Sequence, residues 1–161
     1  MQKVILVAES GSDLMPQWRE KYGVYIIPMH VSFGDETKDD GTFSVAEVCG
    51  YYNRTGTVPK TSGCNPDEFM RLFDEIHEKH PEAHILYLAY SAVTTCSYQS
   101  GVIAAEGRDY VTCMDTKLVT VGQSAVIVKV ARLLEAHPEW DVAQMKNAVN
   151  EVVEQTKMCF I

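Results

Sequence analysis

No GxxxxGK[ST] loop, no GxGxxG after the first apolar run and no GxSxG elbow occur in the 161 residues. Those absences exclude the usual nucleotide-phosphate cradle, dinucleotide fingerprint and serine-hydrolase turn. Basic charge is also scarce, with 14 Lys and Arg against 22 Asp and Glu for a net charge of −8. Lys79-His80 and Lys117 stand alone in acidic surroundings, so the sequence shows no patch for a nucleic-acid backbone or an anionic membrane surface. Long apolar runs are missing as well, and no integral membrane segment is expected. The run Val4 to Ala8 lies between Lys3 and Glu9 and is too short for the core of a signal peptide. Paired cysteines are absent: Cys49, Cys64, Cys96, Cys113 and Cys159 are odd in number and form no CxxC. They sit beside apolar or small residues in the manner of buried reduced thiols, and a cytoplasmic location is expected.

What is present is the composition of one globular domain, with 46% hydrophobic and 22% charged residues. Val4 to Ala8, His84 to Tyr90 and Tyr110 to Met114 are continuous apolar runs, the pattern of strands covered on both faces. Helical spacing is predicted for Leu14 to Tyr22, Val45 to Tyr52, Pro66 to Lys79, Ser97 to Glu106, Ser124 to Ala136 and Val142 to Thr156. Strands alternating with helices predict an α/β fold, a doubly wound and mainly parallel sheet with helices on both faces. Val24 to Phe33 reads as one further strand, at an edge because Pro28 cannot donate to a ladder. Gly34 to Thr42 reads as a loop, and Met158 to Ile161 as the opening of another strand.

In such sheets ligands bind beyond the carboxyl ends of the strands. The residues there are small and polar: Glu9-Ser10-Gly11-Ser12-Asp13, Ser91-Ala92-Val93-Thr94-Thr95 and Asp115-Thr116. A fourth group, Lys60-Thr61-Ser62-Gly63-Cys64, is read as a loop before a helix start at Asn65-Pro66-Asp67-Glu68. Hydroxyls near helix starts suit an anion, and they equally suit plain capping. His77, His80 and His84 have the spacing of metal ligands, but Pro81 ends the helix between them, so a solvated helix end is the better account. Asp13 or Asp115 could serve an enzyme as general base, although nothing pairs either with a nucleophile. Phe69, Met70 and Phe73 fall at helical spacing and are expected in the core.

Taken in order, Ser10-Gly-Ser-Asp13-Leu14, Ile27-Pro28-Met29, Pro59-Lys60-Thr61-Ser62, Tyr90-Ser91 with Tyr98-Gln99-Ser100, and Asp115-Thr116 with Gly122 resemble the N-terminal domain of the DegV family of bacterial proteins. The resemblance spans the whole chain, 1–161, as a single domain. It implies a long-chain fatty acid held by its carboxylate and no catalytic residue, metal or cofactor. In some relatives a separate fatty acid kinase receives that acid. Thr61 and Ser62 match the first carboxylate loop of the family, and Ser91 and Ala92 the second. Ala92 stands where the family has a second Ser, so Thr95 or its neighbours would supply the missing hydroxyl. The family's acyl tunnel is completed by a C-terminal domain, absent from this sequence. A structural domain whose lipid site has decayed is the other reading that Ala92 prompts.

Overall fold

The computed structural model describes residues 3–159. In chain order the elements are β1 (Lys3–Glu9), α1 (Pro16–Tyr22), β2 (Tyr25–Ile27), β3 (His30–Phe33), β4 (Glu36–Asp39), α2 (Val45–Thr55), β5 (Lys60–Ser62), α3 (Pro66–Lys79), β6 (Ala83–Ala89), α4 (Ser97–Ala105), β7 (Val111–Asp115), α5 (Thr120–Ala136) and α6 (Val142–Gln155). A 3-10 turn, Ser10–Ser12, follows β1.

The apolar runs become β1, β6 and β7, joined by β2 in a four-stranded parallel sheet of order β2-β1-β6-β7. Strand side chains alternate between faces, and here both faces are apolar. Ile5, Val7, Ile85 and Tyr87 pack on Phe69, Phe73 and Ile76 of α3 and on Ala104 of α4. Leu6, Ala8, Leu86 and Leu88 meet Val126, Ile127 and Val130 of α5 and Val149 and Val152 of α6. The fold is therefore α/β and doubly wound. α3 starts where its sequence says it should, because Asn65 and Glu68 form a reciprocal capping box with Pro66 in the first turn.

Four expectations are corrected. Val24 to Phe33 is two strands, because Pro28 and Met29 interrupt it: β2 stays in the main sheet and β3 leaves for a second one. That second sheet is antiparallel, of order β4-β3-β5. Gly34 to Thr42 is accordingly a hairpin arm rather than a loop, with Gly34 at φ 70 in the two-residue turn between Phe33 and Glu36. Lys60–Ser62 is a strand, pairing Thr61 with Val31 and Ser62 with His30. Finally, Met158 and Cys159 form no strand, while Phe160 and Ile161 lie outside the described residues.

Two smaller readings change too. Of the five free thiols, Cys64 is buried whereas Cys49, Cys96 and Cys159 are exposed. His84 is no solvated helix end: it is buried on β6, 2.8 Å from the Thr112 hydroxyl. Among the described residues no helix is long and apolar enough to cross a membrane.

Candidate functional site

In the order β2-β1-β6-β7 the chain turns from β1 toward β2 on one side, and only later adds β6 on the other. The connections leaving the carboxyl ends of the paired strands β1 and β6 therefore diverge, and a crevice opens between them. A buried carboxylate braces the backbone beneath it at Tyr90. Glu9, the last residue of β1, is fully buried and accepts hydrogen bonds from the Tyr87 hydroxyl, from the Tyr90 N–H at 3.0 Å and from Gln123 Nε2 at 2.9 Å. Burial pushes the Glu9 carboxyl above its ordinary range, while those donors pull it back down. Gln123 Nε2 also donates to the Leu88 carbonyl at 2.9 Å, so one amide ties β6, α5 and Glu9 together.

Between the two sheets lies a cleft of about 590 Å³. Gly11, Asp13, Tyr90 and Thr120 form its main-sheet side; Met29, Val31, Thr61 and Ser62 form its second-sheet side. Thr94, Thr95 and Cys96, from the loop after β6, add to the lining. Two glycines allow the close approach. A Cβ on Gly11 would lie 2.7 Å from Met29 Sδ and 3.2 Å from the Tyr90 ring. One on Gly63 would lie 2.5 Å from both Thr95 Oγ1 and Ser97 Oγ. The second sheet is further secured by the Met29 N–H to Ser10 Oγ bond at 3.0 Å and the Cys64 N–H to Ser97 Oγ bond at 3.1 Å.

Backbone strain gathers at the same end of the sheet. Among the described residues the non-glycine positions with positive φ are Asp13 (53) after β1, Lys117 (56) after β7 and Thr120 (43) at the first residue of α5. Thr120 is β-branched, for which this region is costly, and such strain is characteristic of ligand clamps. Asp13 faces the cleft with its carboxyl raised by burial and by the charge of Asp40, another lining residue.

Of the site residues expected from sequence, Thr61, Ser62 and Thr95 share this cleft. Ser91 and Ala92 are not among its lining residues. Ser91 is buried, and its carbonyl receives the Thr94 N–H at 3.0 Å and the Thr94 hydroxyl at 2.8 Å, so it shapes the turn that presents Thr95. Ala92 is exposed and donates its N–H to Asp115 Oδ1 at 3.2 Å. Asp115 also accepts the Lys117 N–H at 2.8 Å, which makes it an organiser of two loops rather than a free base. Among the described residues no cluster of three or more His, Cys, Asp or Glu is placed to hold a metal ion. Sequence reasoning did not single out the Glu9, Tyr87 and Gln123 network, nor the roles of Gly11 and Tyr90. A carboxylate ending a continuous apolar run was the available signal for Glu9. A second depression, of about 360 Å³, lies at the opposite end of the sheet beside Lys3, Tyr22 and Trp140.

The sequence profile of the DegV family matches residues 3–161. The chain belongs to the DegV family. A fatty acid-binding protein of Thermotoga maritima is 27% identical over 133 residues, covering 81% of this chain and 46% of its own length. The structure of a DegV family protein of Thermus thermophilus superposes with a TM-score of 0.84 over 95% of this DegV chain and 54% of its own, at 24% identity. A stearic acid-binding protein of Eubacterium ventriosum, 25% identical, gives 0.77 over 93% of this chain and 52% of its own. This DegV chain spans about half the length of the relatives it matches.

Proposed function

We propose that the chain binds a long-chain fatty acid, with its carboxyl group at the Thr61, Ser62 and Thr95 end of the cleft. The observation that carries this reading is that Thr61 and Ser62 of β5, in the second sheet, and Thr95, in the loop after β6 of the main sheet, line one cleft at the switch point. Hydroxyls donate to a carboxylate oxygen, and hydrogen bonds to a charged group contribute about 1.5–3 kcal/mol each. Met29, Val31 and the Tyr90 ring supply apolar wall for the tail. The fatty-acid-binding relatives from Thermotoga maritima and Eubacterium ventriosum support the choice of ligand.

Ser91 acts on this site through the Thr94–Thr95 turn. Tail burial contributes about 0.8 kcal/mol per methylene, but only where both sides of the tail leave water. Met15 before α1, Val93 after β6 and Val121 in the first turn of α5 are exposed, the last two at 92% and 64%. These side chains are the surface against which a second domain closes over the tail in this reading. Presentation of the held acid to a separate fatty acid kinase is the use it implies.

Native mass spectrometry with lipid extraction, on protein expressed from the whole gene, tests the proposal. A co-purifying or loadable long-chain fatty acid is expected, with Thr61→Ala weakening its binding roughly 10- to 100-fold. Absence of any bound acid, or unchanged affinity in Thr61→Ala, would overturn it.

A further inference from the structure

Among the described residues no Lys or Arg lines the cleft that holds Thr61, Ser62 and Thr95. Its ionisable lining is Asp13 after β1, His30 on β3, Asp40 after β4, Tyr90 after β6 and Cys96 before α4. Both ring nitrogens of His30 already face carboxylates, Asp39 at 3.1 Å and Glu68 at 2.9 Å. Both nitrogens are therefore engaged before a ligand arrives. Behind the cleft, Glu9 holds the Tyr90 N–H and adds a further carboxyl from the sheet side. A carboxylate held by the hydroxyls therefore shares one cleft with Asp13 and Asp40, with no lining Lys or Arg to offset their charge.

We infer that fatty-acid binding in this cleft is proton-linked: the acid is taken up together with about one proton, shared within a group formed by the ligand carboxyl, Asp13 and Asp40. The inference rests on the fatty-acid reading above and adds the charge state in which the acid is held. Carboxyls confined to one site resist full ionisation, and their protons belong to the group rather than to one member. Asp13 already shows this tendency in the free chain, being raised by burial and by Asp40. The Thr and Ser hydroxyls suit such a shared proton, since each can donate to a carboxylate or accept from a carboxylic acid. The proton comes from solvent and leaves with the ligand, and no covalent bond is made.

Isothermal titration of palmitate, below its aggregation concentration, into the whole protein measures the linkage directly. Titrations from pH 6.5 to 8.5 in buffers of different ionisation enthalpy count the protons taken up. Affinity is expected to rise toward low pH by up to about tenfold per pH unit, with uptake near one proton. Asp13→Asn with Asp40→Asn should flatten the profile, reduce uptake toward zero and tighten binding at pH 8. Asn tolerates the left-handed backbone of residue 13 (φ 53), so the fold is kept. Hexadecan-1-ol is the neutral control and should bind independently of pH. Palmitate binding with no proton uptake and a flat pH profile overturns the inference and leaves the fatty-acid reading intact. Failure of palmitate at every pH, with or without binding of the alcohol, overturns both.

Discussion

Glu9 is the residue that braces the backbone beneath the site at Tyr90. Four donor contacts converge on its two oxygens, one from Tyr87, two from the Tyr90 N–H and one from Gln123. Glu9→Gln would place an amide N–H₂ against one of those donors. Gln123 cannot relieve it by flipping, since its Nε2 also serves the Leu88 carbonyl. We expect a loss of about 1–3 kcal/mol in urea denaturation, the cost of an unsatisfied buried donor. The pH dependence has a definite sign. Glu9 has a folded-state pKa above its ordinary value of 4.5, so the folded state binds the extra proton. Its contribution is full below about 4.5 and is lost as pH rises through the raised value. The stability gap between wild type and Glu9→Gln should therefore narrow from pH 5 to pH 8. A gap that widened over that range would refute the assignment.

At the scale of elements, α3 is where the sequence speaks most clearly. Its cap and its opening proline are visible in the chain and present in the fold, and of the stripe read as Phe69, Met70 and Phe73, the two Phe side chains are buried with Ile76 while Met70 packs at the margin of that cluster. Asn65→Ala should cost about 1 kcal/mol in thermal denaturation, and Phe73→Ala about 3–5 kcal/mol, because Phe73 is fully buried against Phe69 and Tyr87. The three continuous runs were equally legible, since a strand covered on both faces needs no alternation. The second sheet was not. β4 exposes three of its four residues and β5 all three, so neither carries a hydrophobic pattern to read. Their pairing is fixed instead by β3 and by the Gly34 turn, which are tertiary facts. For the same reason Thr61 and Ser62 could be singled out as hydroxyls, but their meeting with Thr95 could not be read from spacing. Ala92 shows the converse: the chain places it next to Ser91, yet the fold turns it outward to Asp115.

For the molecule as a whole, charge sets how a ligand arrives. The chain carries a net charge of −8 and two aspartates line its cleft. A fatty-acid anion therefore approaches against the field, and screening should help it. Stopped-flow association with a fluorescent fatty acid is expected to accelerate several-fold between about 20 and 300 mM salt, where the screening length falls below roughly 10 Å. A rate that fell with salt would place a basic approach path that the cleft does not show. The cleft is also a seam between two sheets, stitched at Gly63, whose missing side chain leaves room for the Thr95 and Ser97 hydroxyls. Such a stitch constrains descent as well as structure. Thr95 can shrink without disturbing Gly63, and Ser97 only by giving up the hydrogen bond it accepts from the Cys64 N–H, but Gly63 cannot grow until both have shrunk. Substitutions along this lineage should follow that order, so that any descendant with a side chain at position 63 already carries smaller residues at 95 and 97.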